Sequence, residues 1–145
     1  MSDRDVMLRI LDEVYQRKAW HGPNLRGSLR GLTADEALWR PGEGRHNIWE
    51  LAIHCAYWKY TVRRRLTGVK RGGFAREGSN WIAPSGDWKA DLRLLADEHR
   101  GLMDAVRNAA ARQLRKHERL IYGVAAHDAY HTGQIQLIKR LGGFF

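Results

Sequence analysis

The sequence predicts an all-α fold, a four-helix bundle with a long loop between its second and third helices. Three observations predict it. Apolar residues recur at helical spacing in four long segments, glycine and proline fall between those segments, and no stretch carries the period-two alternation of a half-buried strand.

The first helix is expected from about Asp3 to Ala19, with Val6, Met7, Ile10, Leu11 and Val14 on one broad face. "HGPNL" then breaks it with Gly22 and Pro23. Leu25, Leu29 and Leu32 keep helical spacing through a short turn. "TADE" at 33–36 reads as a capping box that starts one more turn before Pro41. The second long helix opens at "NIWE", where Asn47 can cap and Glu50 can reach back, and it runs to Gly68. Its apolar stripe is Leu51, Cys55, Trp58, Val62 and Leu66.

Residues 69–86 are glycine-rich and basic and carry Phe74 and Trp81. A loop of that length in a compact domain is either loosely ordered or a functional flap, and the tryptophan favours a flap over the site. The third long helix begins near Asp87 or Trp88. Its stripe of Trp88, Leu92, Leu95, His99, Leu102 and Val106 runs out in "RNAAARQ". The fourth begins near His117 and ends at "GGFF". Four helices of similar length bury their stripes against one another.

A chain of 145 residues is long enough to bury a real core, and one domain over 1–145 is expected. No apolar run approaches membrane-spanning length, and "MSDRDVMLRILDEV" lacks the apolar centre of a signal peptide, so a cytoplasmic protein without a membrane partner is expected. The single cysteine, Cys55, permits no intramolecular disulfide. The net charge of +9 favours acidic partners in general. Its clusters, "VRRRLTGVKRGG" and "ARQLRKHER", straddle helix ends without a nucleic-acid motif or aromatic interleaving, which argues against nucleic acid as the partner.

The chemistry is in the histidines. Leu120, Ile121, Val124, Ile135 and Ile138 form one stripe on the last helix, yet His131 stands at its centre and His127 toward its border. Positions i and i+4 share a helical face, so the two imidazoles can offer nitrogens to one ion. A central imidazole without a partner costs on the order of 1–3 kcal/mol. His54 in "WELAIHCAYWKY" lies beside Tyr57 and Trp58 at the border of its stripe. It completes a three-nitrogen set suited to Zn or Ni, with an open position for water or substrate.

These residues resemble a family. "NIWELAIHCAYW" and "HDAYHTGQIQLIKR", with four helices and a long connection between the second and third, are similar to the DinB-like, or YfiT-like, superfamily of metal-dependent proteins. That superfamily is unrelated to the DNA polymerase sharing the name. The resemblance covers nearly the whole chain and maps the family's metal-binding histidines to His54, His127 and His131. It implies a four-helix bundle of the DinB type, often a homodimer, holding a divalent metal. Some members transfer low-molecular-weight thiols such as bacillithiol or mycothiol.

Other residues have two readings each. His99, central on its stripe, reads as a hydrogen-bonded core histidine or as a pocket wall. Gln134, one turn beyond His131, reads as pocket lining or as a packing amide. Asp128 and Glu50 can orient ligand imidazoles, or serve respectively as an interhelical ion pair and a helix cap. Cys55 points about 100° away from His54, which spoils it as a co-ligand. His21, His46 and His117 sit at helix ends or breaks and take no site role, and Leu8 and Tyr15 lie off the main stripe as a candidate dimer face.

No catalytic carboxylate pair, Ser-His-Asp set or phosphate loop appears, so in an enzyme the metal carries most of the chemistry. A thiol transferase acting on an electrophilic small molecule is the leading expectation. A metal-dependent hydrolase and a non-catalytic metal- or ligand-binding stress protein are the alternatives.

Overall fold

The computed structural model describes residues 1–70 and 72–145. It is all-helical: among the described residues there are seven helices and no strand. They are α1 (Asp3–Tyr15), α2 (Leu25–Leu29), α3 (Ala34–Leu38), α4 (Ile48–Thr67), α5 (Trp88–Asn108), α6 (Ala111–Lys116) and α7 (Glu118–Gly142). Among the described residues no helix is long and apolar enough to cross a membrane.

Local chemistry sets most of the boundaries. Ser2, Thr33 and Asn47 each accept a hydrogen bond from the backbone N–H three residues on, and the acidic residue at that third position reaches back to the cap. Asp87 caps α5 through the Ala90 N–H. Helix α4 stops at Gly68, whose φ of 74° is a left-handed conformation that costs glycine little. Gly143 ends α7 in the same way.

The four long helices pack in a closed set of contacts. Helix α4 lies on α5 and α7, and α1 lies on the same two. Two clusters fill the interior. One gathers Leu25, Ile48, Leu51, Leu95 and Ile135, and the other gathers Leu11, Val62, Leu102, Val106 and Ile121. Burying each such side chain stabilises the fold by about 1.5–3 kcal/mol. Helix α4 is buried almost all round its first half, from Ile48 to Ala56, which is why a single stripe described it poorly.

The first helix departs from expectation. It ends at Tyr15, not Ala19, because the backbone N–H groups of Gln16 and Arg17 both donate to the Asp12 carbonyl. The Gln16 and Arg17 side chains also donate to the Asp12 carboxylate. Val6 and Ile10, expected inside, are exposed. Tyr15, offered for a dimer face, is buried and stacks on His99 with ring centroids 4.0 Å apart, while Leu8 packs against the second core cluster. The apolar face is therefore rotated toward α5. "RNAAARQ" also hides a break: α5 ends at Asn108, and α6 is a separate short helix.

Between Gly68 and Asp87 the described residues form neither helix nor strand. Arg71, part of the expected loop and of one basic cluster, lies outside the described residues.

Candidate metal centre

His54 comes from the middle of α4 and His127 and His131 from successive turns of α7. His54 and His131 are buried, and His127 is half-buried. The His127 Nε2 lies 3.0 Å from the His54 Nε2 and 3.1 Å from the His131 Nε2. Two nitrogens bound to one ion at about 2.0–2.1 Å, at angles between 90° and tetrahedral, are separated by about 2.8–3.4 Å. Both observed separations fall in that range.

The remaining ring nitrogens fix the tautomers. The His54 Nδ1–H donates to the Asn80 backbone carbonyl at 2.8 Å, and the His131 Nδ1–H donates to Gln134 Oε1 at 2.6 Å. Their Nε2 atoms are therefore bare lone pairs. At most one proton, on His127, is available to three converging nitrogens. A cation satisfies all three, so this donor set fits a divalent metal ion, and the three side chains can hold one. Cys55, His127 and Asp128 form a second cluster with ligand atoms within 4.8 Å, but it is a poorer donor set. Asp128 is taken by Lys59, and burial pushes the Cys55 thiol well up, against the thiolate that binds metal.

Aromatic rings close the site. Trp81 stacks on His54 with centroids 3.8 Å apart and planes 3° from parallel, and on His46 at 3.6 Å and 6°. Two imidazoles cannot share one face at those distances, so the indole lies between them. Trp58 meets His54 and His127 edge-on, and its indole N–H donates to Asn80 Oδ1 at 3.0 Å. Asn80 thus holds two site residues through one backbone and one side-chain oxygen, and it has a positive φ of 62°, which asparagine tolerates better than most residues. Tyr57 stands one ring further out, between Trp58 and Phe74.

Three other sequence candidates lie elsewhere. Glu50 bonds the Asn47 N–H and pairs with Arg40, so it caps α4 and orients no imidazole. Asp128 forms a fully buried ion pair with Lys59, the interhelical alternative. His99 is buried 3.2 Å from the Lys59 ammonium, which donates to its Nδ1, while its Nε2–H donates to Asp12 at 3.3 Å. It has no contact with the three-histidine cluster.

Sequence reasoning missed Lys59, Asn80 and His46. A lysine on a helix reads as solvated, and nothing local marks Lys59 as the partner of an aspartate on another helix. Asn80 acts mainly through its backbone. His46 left no periodic signal, because it stands before the Asn47 cap, outside α4.

Burial lowers the pKa of each cluster histidine, to about 4 for His54 and about 3 for His127, with neighbouring imidazoles adding to the effect. His131 shifts in the same direction, and His99 falls to about 3 through burial and the Lys59 charge. The unfolded chain then binds more protons than the folded one wherever pH lies between these values and about 6.5. Stability is complete above pH 6.5 and is lost as pH falls toward 4. Urea midpoints measured for the metal-free protein should be flat from pH 7 to 8 and fall steadily from pH 6.5 to 4; a flat profile across the acid range contradicts the assigned burial. The His54 and His127 imidazoles of the folded protein are neutral well below pH 6, which moves proton competition with a metal to lower pH than unperturbed histidines would give.

A model of the DinB superfamily matches residues 19–135. No curated protein and no solved structure matches the chain.

Proposed function

The chain belongs to the DinB superfamily, and from that premise we propose that it is a divalent-metal-dependent transferase that moves a low-molecular-weight thiol onto an electrophilic small molecule. The architecture in this reading is a DinB-type four-helix bundle of α1, α4, α5 and α7 in one domain over 1–145. A cytoplasmic homodimer acting on a small molecule, not on nucleic acid or membrane, belongs to the same proposal.

One observation carries it: three imidazole Nε2 atoms converge with at most one proton among them. A Zn or Ni ion bound there would lower the pKa of a thiol at its open position. The chain's residues do the rest. His54, His127 and His131 hold the ion, Asn80 and Gln134 fix the orientation of two rings, and Trp58 and Trp81 exclude water. The thiol sulfur then forms a bond to the electrophilic carbon, whose leaving group departs with its electron pair, and the thiol proton goes to solvent. Thiol transfer is favoured over hydrolysis because the nearby carboxylates are engaged: Asp128 by Lys59, Glu50 by Arg40 and the helix cap. Neither is placed to deprotonate a water.

The test uses untagged protein loaded with Zn or Ni, a panel of bacillithiol, mycothiol and glutathione, and 1-chloro-2,4-dinitrobenzene. Faster conjugate formation than with the His131→Ala variant supports the transferase. Metal uptake without conjugation of any thiol overturns it in favour of a hydrolase or a non-catalytic binding protein.

In this proposal the described residues of the 69–86 segment form a flap that carries Trp81. Trp81→Ala should weaken organic-ligand binding at least fivefold while changing stability by less than about 1.5 kcal/mol, the worth of an aromatic stack. Calorimetric titration alongside urea unfolding checks this, and a loss of stability without a loss of affinity would reject the flap.

A further inference from the structure

A groove of about 330 Å³ runs along the seam between α4 and α7, with His127 in its lining. A cavity of about 730 Å³ between α4 and the 72–79 segment is lined by none of the three histidines. Helix periodicity explains the course of the seam groove. His54, Trp58 and Val62 succeed one another at i, i+4 and i+8 on α4, while His127, Gly123 and Arg119 succeed one another in the opposite sense on α7. Trp58 meets His127, and Val62 meets the lining around Leu120 and Gly123, so the two helices are antiparallel here. From His127 to Arg119 is eight residues, or about 12 Å of helix.

Two features make this more than a crease. Gly123 stands inside a long helix, where glycine weakens the helix relative to alanine. A Cβ built on it meets nothing within 4 Å, whereas one on Gly101 in α5 would strike Arg63 at 2.7 Å. Packing within this chain therefore does not require Gly123, and its missing side chain leaves the groove open. At the far end Arg119 is exposed and has no carboxylate partner among the described residues. Arg119 thus gives the far end of the groove a positive charge. Glu118, the neighbouring acid, lines a different groove with α1.

We propose that this groove is the substrate subsite and that the substrate is a small organic anion. Its apolar body lies over Gly123 between Trp58, Val62 and Leu120, its anionic group pairs with Arg119, and its reacting end points to the three histidines. The inference rests on the metal-site reading for the last of these and on the groove alone for the other two.

Octanoate, with n-octylamine as the same chain bearing the opposite charge, tests it by amide shifts of ¹⁵N-labelled protein, with and without Zn. Octanoate should shift Val62, Leu120 and Gly123 and bind more tightly than octylamine. Gly123→Leu should weaken octanoate at least tenfold, while Gly123→Ala, which tests whether the helix tolerates a side chain, should stay within threefold. Arg119→Gln should weaken octanoate about fivefold and abolish the preference over octylamine. Bound Zn, measured by elemental analysis, should be the same in all of them. Equal octanoate binding in Gly123→Leu, shifts confined to other regions, or no preference for octanoate in the unmodified protein would overturn the proposal. Failure to take up Zn with the octanoate pattern intact would instead overturn the metal reading and leave the groove standing.

Discussion

Alanine at His54, His127 or His131 should each lower divalent-ion affinity by about 100-fold or more, and alanine at His21 or His117 should leave it unchanged. Apparent binding energies of about 10–16 kcal/mol for four-ligand zinc sites correspond to about 2.5–4 kcal/mol per ligand, two to three decades in affinity. The expected symmetry among the three follows from geometry, because His127 sits 3.0 and 3.1 Å from the other two and no ring stands apart. His21 bonds the Pro23 carbonyl, and His117 lies at the N-terminus of α7, ten residues before His127. Competition titrations with a chromogenic chelator on untagged protein measure the affinities. Equal affinity in the unmodified protein and His131→Ala means that no such site exists, and the enzyme reading falls with it.

Lys59→Ala should be the most destabilising single change outside the apolar core, at about 3–5 kcal/mol, the cost of leaving a buried charge unpaired. Lys59 and Asp128 are both fully buried. The same ammonium donates to His99 and lies 5.1 Å from the Tyr15 ring centroid, so its removal orphans two partners at once. Burial already pushes the Asp128 carboxyl up, with Lys59 opposing that shift, and one of its oxygens, Oδ1, has no partner. For a chain of this size the loss corresponds to a fall in Tm of about 10 °C or more. Replacing both partners, Lys59→Met with Asp128→Leu, should recover at least half of the loss, because apolar substitutes need no compensation. Thermal unfolding of the two singles and the double closes the cycle; a double variant no more stable than the worse single contradicts a pairwise origin.

The helices were legible because their signals are local. The boxes at Thr33 and Asn47 and the glycines at 68 and 143 act within a few residues of the boundaries they set. Where a boundary depended on a side chain folding back, as Asp12 does under Gln16 and Arg17, the expected end fell four residues late. The buried face of α1 was misjudged for a related reason. Tyr15 is inside because His99 and Lys59 are there to receive it, and neither lies on its own helix.

The same division runs through the site. The sequence by itself picked out the three imidazoles that could hold a metal ion, since an HxxxH pair interrupting an apolar stripe, and a histidine flanked by aromatics on another helix, are anomalies of composition that helical periodicity exposes. It also determined the place of the polar caps and the family to which the chain belongs. Only the tertiary structure decided which further groups complete the site: Asn80 through its carbonyl, His46 on the far face of Trp81, and Gln134, rather than Glu50 or Asp128, as an orienting partner of the rings. It alone decided that Lys59 is buried. A side chain's own pattern records whether it faces inward, but the identity of its partner depends on how two helices are set against each other. That setting is a sum of many weak packing contacts over the whole core, and no short stretch of sequence carries it.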